Sequence, residues 1–210
     1  MPTEETRSSS FGQGYRLSPV DRFGVWLSGR SIQRAVGDFS GRRIGDFGCG
    51  FDARFTRSVL GLVESALVVD VALAPDLMSD PKVQAFQGSV VDAVGSVAPE
   101  SLDVVLCISV LEHLSEAQSV LNGFYRILAP GGVCVVNVPT WLGKRFLELS
   151  AFRLGLSPAA EMDDHKAYYD PRDLWPMLRK AGFMPHNIIC RRHKFGLNTF
   201  AVARMESMAH

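Results

Sequence analysis

The stretch that most constrains this chain is "RRIGDFGCGFDARF", Arg42 to Phe55. It reads as a β-strand ending in an acid, Asp46, then a glycine turn, Gly48-Cys49-Gly50, then the start of a helix. Gly48 and Gly50 carry no side chain, so a ligand can approach the backbone there. The next helix offers free N–H groups and a partial positive charge. A strand of this kind belongs in a sheet covered by helices on both faces, and the rest of the sequence is patterned to supply one.

Residues 19–38 predict a helical entry with Val20, Phe23, Trp26 and Leu27 on one face. The first strand, about Arg42 to Phe47, leads into a helix from about Asp52 to Val63. "ALVVDVA" predicts a second strand ending in Asp70, "KVQAFQGSV" a third, and the solidly apolar "LDVVLCISV" a fourth. Ser115 is placed to cap the next helix, on which Ala117, Val120, Leu121, Phe124, Ile127 and Leu128 recur at helical spacing. Pro130-Gly131-Gly132 ends it and "VCVVNV" is the fifth strand. Asp170-Pro171-Arg172-Asp173 opens a helix that Gly182 closes, with Pro176 marking either a later start or a kink. Residues 186–195 and 198–204 read as a closing antiparallel hairpin through "GLN". The fold class is α/β, a doubly wound and mainly parallel sheet. In such sheets ligands bind beyond the carboxyl ends of the strands, where strand order reverses.

Composition narrows the function. With 47% hydrophobic and 21% charged residues among 210, the chain can build one ordinary core. Acids and bases balance at 22 each, which argues against a general grip on nucleic acid. Cys49, Cys107, Cys134 and Cys190 are widely spaced, so neither a zinc site nor a disulfide framework is expected, and they read as core residues in a reducing compartment. The opening "MPTEETRSSSFGQG" is polar and is no secretory signal, and no apolar run approaches the ~20 residues of a membrane span. The expected organisation is a flexible tail over 1–14 and a single domain over 15–210, in the cytoplasm.

Two cofactors fit the turn. Gly48 to Ala53 satisfies the dinucleotide pattern G-x-G-x-x-G/A. Asp70, at the end of the second strand, can accept hydrogen bonds from both hydroxyls of an adenosine ribose. Asp46, two residues before the first glycine, faces an ammonium group well and a pyrophosphate badly. S-adenosylmethionine carries an ammonium and a sulfonium and no phosphate, so the charge pattern favours it.

At this point the sequence resembles the class I S-adenosylmethionine-dependent methyltransferases, in particular the small-molecule group called type 11. "IGDFGCG" is similar to the first family motif, "VVDVA" to the second-strand acid, and "FQGSVVD" to the segment along the adenine. "SLDVVLCISVLEHL" resembles the fourth-strand motif, "LAPGGVCVVNVP" the run into the fifth strand, and "YYDPRDLWPMLRKAGF" the late helix. The resemblance runs from about Arg42 to Ala203. It implies a seven-stranded sheet whose last strand is antiparallel. It also implies a cofactor site made of Asp46, Phe47, Gly48, Cys49, Gly50, Asp70, Val71, Ser89, Val90, Cys107, Ile108 and Ser109. Two positions differ from the family pattern: Asp52 stands where a third glycine is common, and Ser89 where an acid is common. Asp52 is then expected to cap the following helix.

Methyl transfer from a sulfonium is an in-line displacement in which alignment matters most and an acidic proton on the acceptor has to be removed. His113, in "LEHL", is the first candidate base, and His165 the second. Glu112 beside His113 reads as solvated, with pairing to His113 as the alternative. Residues 140–170 form a long connection, expected to act as a lid or cap walling an acceptor pocket. Trp141, Phe146, Leu149 and Phe152 fall on a helical stripe there. With Lys144, Arg145 and Arg153 that stripe also allows transient contact with a membrane surface. Asp163, Asp164, His165, Tyr168 and Tyr169 end the lid as a charged turn with no metal expected. "RRHK", Arg191 to Lys194, reads as a solvated hairpin end, with contact to an anionic acceptor or to RNA as the sharper alternative. The leading expectation is a methyltransferase acting on a small-molecule or saccharide- or lipid-linked acceptor at O, N or C. The alternatives are an NAD-dependent oxidoreductase and a non-catalytic partner that keeps the fold, the latter motivated by Asp52 and Ser89.

Overall fold

The apolar runs of the sequence become the inner strands of one sheet because only there can both faces of a strand be covered. In the computed structural model, which describes residues 9–145 and 166–207, β4 (Leu102–Ile108) is such a strand. Its side chains alternate between two cores, Val105 and Cys107 on one face, Val104 and Leu106 on the other. β1 (Arg43–Phe47) lies beside it, then β2 (Ser65–Asp70) and β3 (Val83–Gln87), all parallel. On the other side come β5 (Leu128–Pro139), then β7 (Asn198–Arg204) and β6 (Ile188–His193). The full order is β3-β2-β1-β4-β5-β7-β6, and β7 runs antiparallel to both neighbours. The seven-stranded, doubly wound expectation holds, including the closing hairpin.

Helices cover both faces. α4 (Val90–Ser96), α5 (Ala117–Ile127) and α6 (Pro171–Ala181) bury residues in the core around Phe47 and Phe124. α1 (Pro19–Val36) and α2 (Arg54–Val59) cover the opposite face, and the short α3 (Pro75–Met78) closes a satellite cluster around Leu77. Strand order reverses between β1 and β4, since the chain goes outward to β2 from one and to β5 from the other. The crevice at their carboxyl ends is therefore the place for a ligand.

Several local readings change. α1 begins with a capping box between Ser18 and Asp21. Its inner face carries Ser28, Ser31, Ile32 and Val36, whereas Val20, Phe23 and Trp26, grouped on one face by the sequence, are exposed. α2 starts later than expected and is capped by Ala53 in the left-handed region, φ 42°. Asp52 does not cap it. The Asp52 carboxylate pairs with Arg54 at 3.2 Å, and its carbonyl accepts from Arg57 Nε. Ser115 does not cap α5 either, because the helix starts one residue later, behind Glu116. β5 begins at Leu128, not after the Pro-Gly-Gly turn. Its register against β4 jumps between Leu128 and Val133, and the looped-out segment bonds to the chain beyond β7, from Met205 N–H to the Gly132 carbonyl. α6 has its own capping box, Asp170 with Asp173, and runs through Pro176.

The expected tail is partly folded. Residues 11–14 form a turn laid on the glycine loop, with Ser10 buried and the Phe11 carbonyl accepting from Phe51 N–H at 3.0 Å. Most of the expected lid, with Phe146, Leu149, Phe152, Asp163, Asp164 and His165, lies outside the described residues. Among the described residues, no helix is long and apolar enough to cross a membrane.

Candidate active site

The turn after β1 is shaped by its backbone. Gly48 and Gly50 sit at φ +79° and +75°, a region costly for residues with a Cβ. The N–H groups of Gly48 and Cys49 both donate to the Val69 carbonyl, at 2.7 and 3.1 Å. A Cβ on Gly48 would stand 2.0 Å from Val110 Cγ2, and one on Gly50 3.2 Å from the Phe11 carbonyl oxygen. The close approach expected at these glycines is thus made by the protein itself, from the loop after β4 and from the N-terminal turn.

Two carboxylates bracket this turn. Asp70 accepts from Gly50 N–H through one oxygen and from Val71 N–H through the other, both at 2.8 Å. Asp46 is 4% exposed and accepts from Thr56 Oγ1 at 2.7 Å. Burial pushes its pKa up to about 6, and the negative charge of Asp70 adds to the rise, while the Thr56 hydroxyl works against it. Asp46 is a buried carboxylate, and the neighbouring charge that acts on it is that of a second acid.

A cavity of about 900 Å³ opens from this turn along the carboxyl edge of the sheet. Of the residues expected to bind a cofactor, Asp46, Gly48, Cys49, Gly50, Asp70 and Val71 line it. So do Ser89 and Val90 at the start of α4, and Ile108 and Ser109 at the end of β4. Ser89 spends its hydroxyl on the helix, accepting from Val91 N–H at 3.1 Å. Phe47 and Cys107 do not line the cavity. Both are fully buried, and the Phe47 ring packs 5.0 Å from that of Phe124. Burial drives the Cys49 thiol far up, with Asp46 and Asp70 adding to it, which leaves a packing role and no nucleophile.

His113 lies in the 3₁₀ turn Leu111–His113 after β4 and lines the cavity together with Glu112. Glu112 is 1% exposed, so the solvated reading fails. Its carbonyl accepts from the N–H groups of Lys166 and Ala167, which fixes where the chain leaves the expected lid. Tyr168 is buried beside Trp141, 5.4 Å between rings, and Tyr169 is tied to Pro139 and Thr199. Neither tyrosine lines the cavity.

The solvated reading of "RRHK" fails for Lys194. Its neighbours Arg191 and Arg192 are exposed as expected, but Lys194 lines the cavity and its ammonium lies against Gly24 of α1. A signal was available. Two successive antiparallel pairings, β5 to β7 and β7 to β6, make β6 run parallel to β5, so its carboxyl end falls on the ligand side. The turn after β6 is held there by Thr140, whose N–H and hydroxyl donate to the carbonyls of Leu197 and Gly196 at 2.9 and 2.8 Å.

Comparison with known proteins bears on this geometry. Residues 45–136 match a family described as "Methyltransferase domain". The chain is 27% identical to a ubiquinone biosynthesis O-methyltransferase of Pseudomonas putida over 87% of this chain and 78% of that protein. A Klebsiella pneumoniae protein of the same description is also 27% identical, over 89% and 80%. A solved SAM-dependent methyltransferase from Archaeoglobus fulgidus shares the fold at a TM-score of 0.63 and 15% identity, covering 89% of this chain and all of that one.

Proposed function

From the premise that this chain is a class I S-adenosylmethionine-dependent methyltransferase of the type 11 kind, we propose that it methylates a hydroxyl oxygen of a small organic acceptor. The cofactor is S-adenosylmethionine, which supplies a methyl group on a sulfonium. The residues present fit it: the acid-bracketed end of the cavity is matched to a cationic ligand. Bringing an ammonium to Asp46 relieves the like-charge cost imposed by Asp70, whereas a pyrophosphate raises it. That observation carries the reading and speaks against a dinucleotide; Arg54, the basic side chain that lines the cavity just after this turn, is paired with Asp52 at 3.2 Å.

In this reading Asp46 faces the ammonium, and Asp70 keeps the Gly50 turn closed while its remaining lone pairs take the ribose hydroxyls. Val71, Ser89 and Val90 would hold the adenine, and Ile108 and Ser109 would line the rest of the cofactor site. His113 takes the proton of the acceptor hydroxyl. His165 is kept as the second candidate base. The oxygen acceptor follows from the named activity of the Pseudomonas and Klebsiella relatives. The apolar residues of the cavity, among them Ile32, Leu106, Val110 and Leu197, suit an organic acceptor more than a saccharide.

Calorimetry on the purified chain tests the premise and the site together. S-adenosylmethionine is expected to bind with micromolar affinity and NAD not to bind. Retention of NAD with no heat from S-adenosylmethionine would reverse the assignment. Loss of both would favour the non-catalytic reading.

A further inference from the structure

The turn after β6 inverts the usual burial preference. Phe195 is 87% exposed while Lys194, one residue before it, is directed into the cavity. Both residues are held in the left-handed region, at φ 49° and 60°, with Gly196 following at 88°. Consecutive non-glycine residues there are costly and persist only where the surroundings over-determine them. The hydrogen bonds from Thr140 do so. The strain does not bury Phe195; what it achieves is to turn an ammonium inward.

That ammonium has no hydrogen bond and no ion pair within reach among the described residues. The groups whose charge acts on it are Glu112 from the turn after β4 and Asp21 from α1, and both favour its charged form. Burial is the larger influence and brings its pKa down to about 8, so it stays mainly charged at neutral pH. One turn along α1 from Gly24, against which the ammonium lies, Ser28 also lines the cavity; it is 5% exposed and its hydroxyl has no partner among the described residues. A desolvated cation and an unsatisfied hydroxyl together describe a place for an anionic oxygen.

We propose that Lys194 is the acceptor-recognition residue and that the acceptor carries a carboxylate, which Lys194 holds while Ser28 donates to it. The proposal rests on the methyltransferase reading of the cavity. The carboxylate of the cofactor itself is a poor candidate. It is bonded to the carbon bearing the ammonium and stays near Asp46, whereas the backbone of the β6–β7 end lies three to four strand spacings away from β1, roughly 14–19 Å.

The test uses the full chain loaded with S-adenosylhomocysteine and two probes of equal shape, 4-hydroxybenzoate and 4-hydroxybenzamide, with binding followed by titration calorimetry. The acid is expected to bind at least ~10-fold more tightly than the amide. Lys194→Met should remove that preference, Lys194→Arg should retain most of it, and neither should change S-adenosylmethionine affinity by more than about 2-fold. Circular dichroism of each variant checks folding, and Ser28→Ala supplies a second, milder probe expected to halve or quarter the preference. A loaded wild-type protein that binds the two probes equally, or binds neither, overturns the proposal. So does a Lys194→Met protein that loses cofactor affinity while keeping the acid preference. Failure of the methyltransferase reading looks different: the wild-type chain then binds no S-adenosylhomocysteine in the first place.

Discussion

Two turns on the same edge of the sheet both run the backbone through the left-handed region, and they do so with different residues. After β1 the positions are Gly48 and Gly50, which accept φ near +80° without strain. After β6 they are Lys194 and Phe195, which do not. The first turn presents backbone and two acids, the second presents one ammonium. The cavity between them therefore has two acids, Asp46 and Asp70, at the first turn, and at the second an ammonium faced by Asp21 and Glu112. A glycine turn can be tuned only by what surrounds it. A strained turn of ordinary residues is tied to a particular side chain, and that is the reason to expect a function from it.

The glycine turn should break most completely. Gly48→Ala places a Cβ 2.0 Å from Val110 Cγ2 at φ +79°. Both the clash and the dihedral oppose it, for a destabilisation of about 3 kcal/mol. Denaturant unfolding should show the loss, and cofactor binding should vanish with it. Full binding and a wild-type midpoint would mean that the loop after β4 moves aside freely, and the turn would then be no more rigid than its counterpart after β6.

Chemistry between the two ends comes next. His113→Ala is expected to lower turnover by ~10²- to 10⁴-fold while leaving S-adenosylmethionine affinity within about 2-fold. Single-turnover rates alongside calorimetry separate the two. A matched fall in affinity and rate would move His113 to the cofactor end.

Asp46 sharpens the contrast in charge. Its folded pKa lies at about 6, above the 3.8 of an ordinary carboxyl. A raised pKa means that the folded protein holds the proton more tightly. The associated stability is therefore fully present below about pH 4 and is lost as pH rises through about 6, a swing of about 3 kcal/mol for a buried group. A cationic ligand reverses the preference, so S-adenosylmethionine should bind more tightly as pH rises through that window. Asp46→Asn should flatten both profiles and weaken binding ~10-fold at pH 8. A ligand affinity independent of pH between 5 and 8 in the wild-type chain would place the ammonium elsewhere.

How legible these two ends were differs for a physical reason. The β1 turn was readable because its determinants are local. Asp46, Gly48, Gly50 and Asp70 are fixed by residue type and by a spacing that strand and helix lengths impose. The sheet was readable because "VVLC" and "CVVNV" admit few other environments. Phe47 and Cys107 were misassigned since alternation along a strand places neighbours on opposite faces, and being next to a site residue is not being in the site. Within "RRHK" the sequence allows contact with an anionic acceptor but does not single out Lys194 from Arg191 and Arg192, which are exposed. The role of Lys194 depends on β6 running parallel to β5, a fact two pairings removed from the local sequence. Glu112 was misjudged for a related reason: it is buried by the chain returning at Lys166, which lies more than fifty residues on.

The smallest expected effect tests whether the β6 turn is strained for a purpose. Phe195→Gly removes a non-glycine residue from φ 60° and gives up little burial, since the side chain is 87% exposed. Relief of the left-handed conformation is worth roughly 1–2 kcal/mol. The greater freedom of glycine in the unfolded chain returns about 0.5–1 kcal/mol of that. The net expectation is a gain of about 0.5 kcal/mol and a rise in Tm of about 2 °C. If the stabilised variant also keeps the preference for acid over amide, Thr140 alone holds Lys194 inward and the strain is incidental to recognition. If the preference falls while Tm rises, the strained pair is what keeps the ammonium in the cavity, and stability has been exchanged for specificity at this end of the site and not at the other.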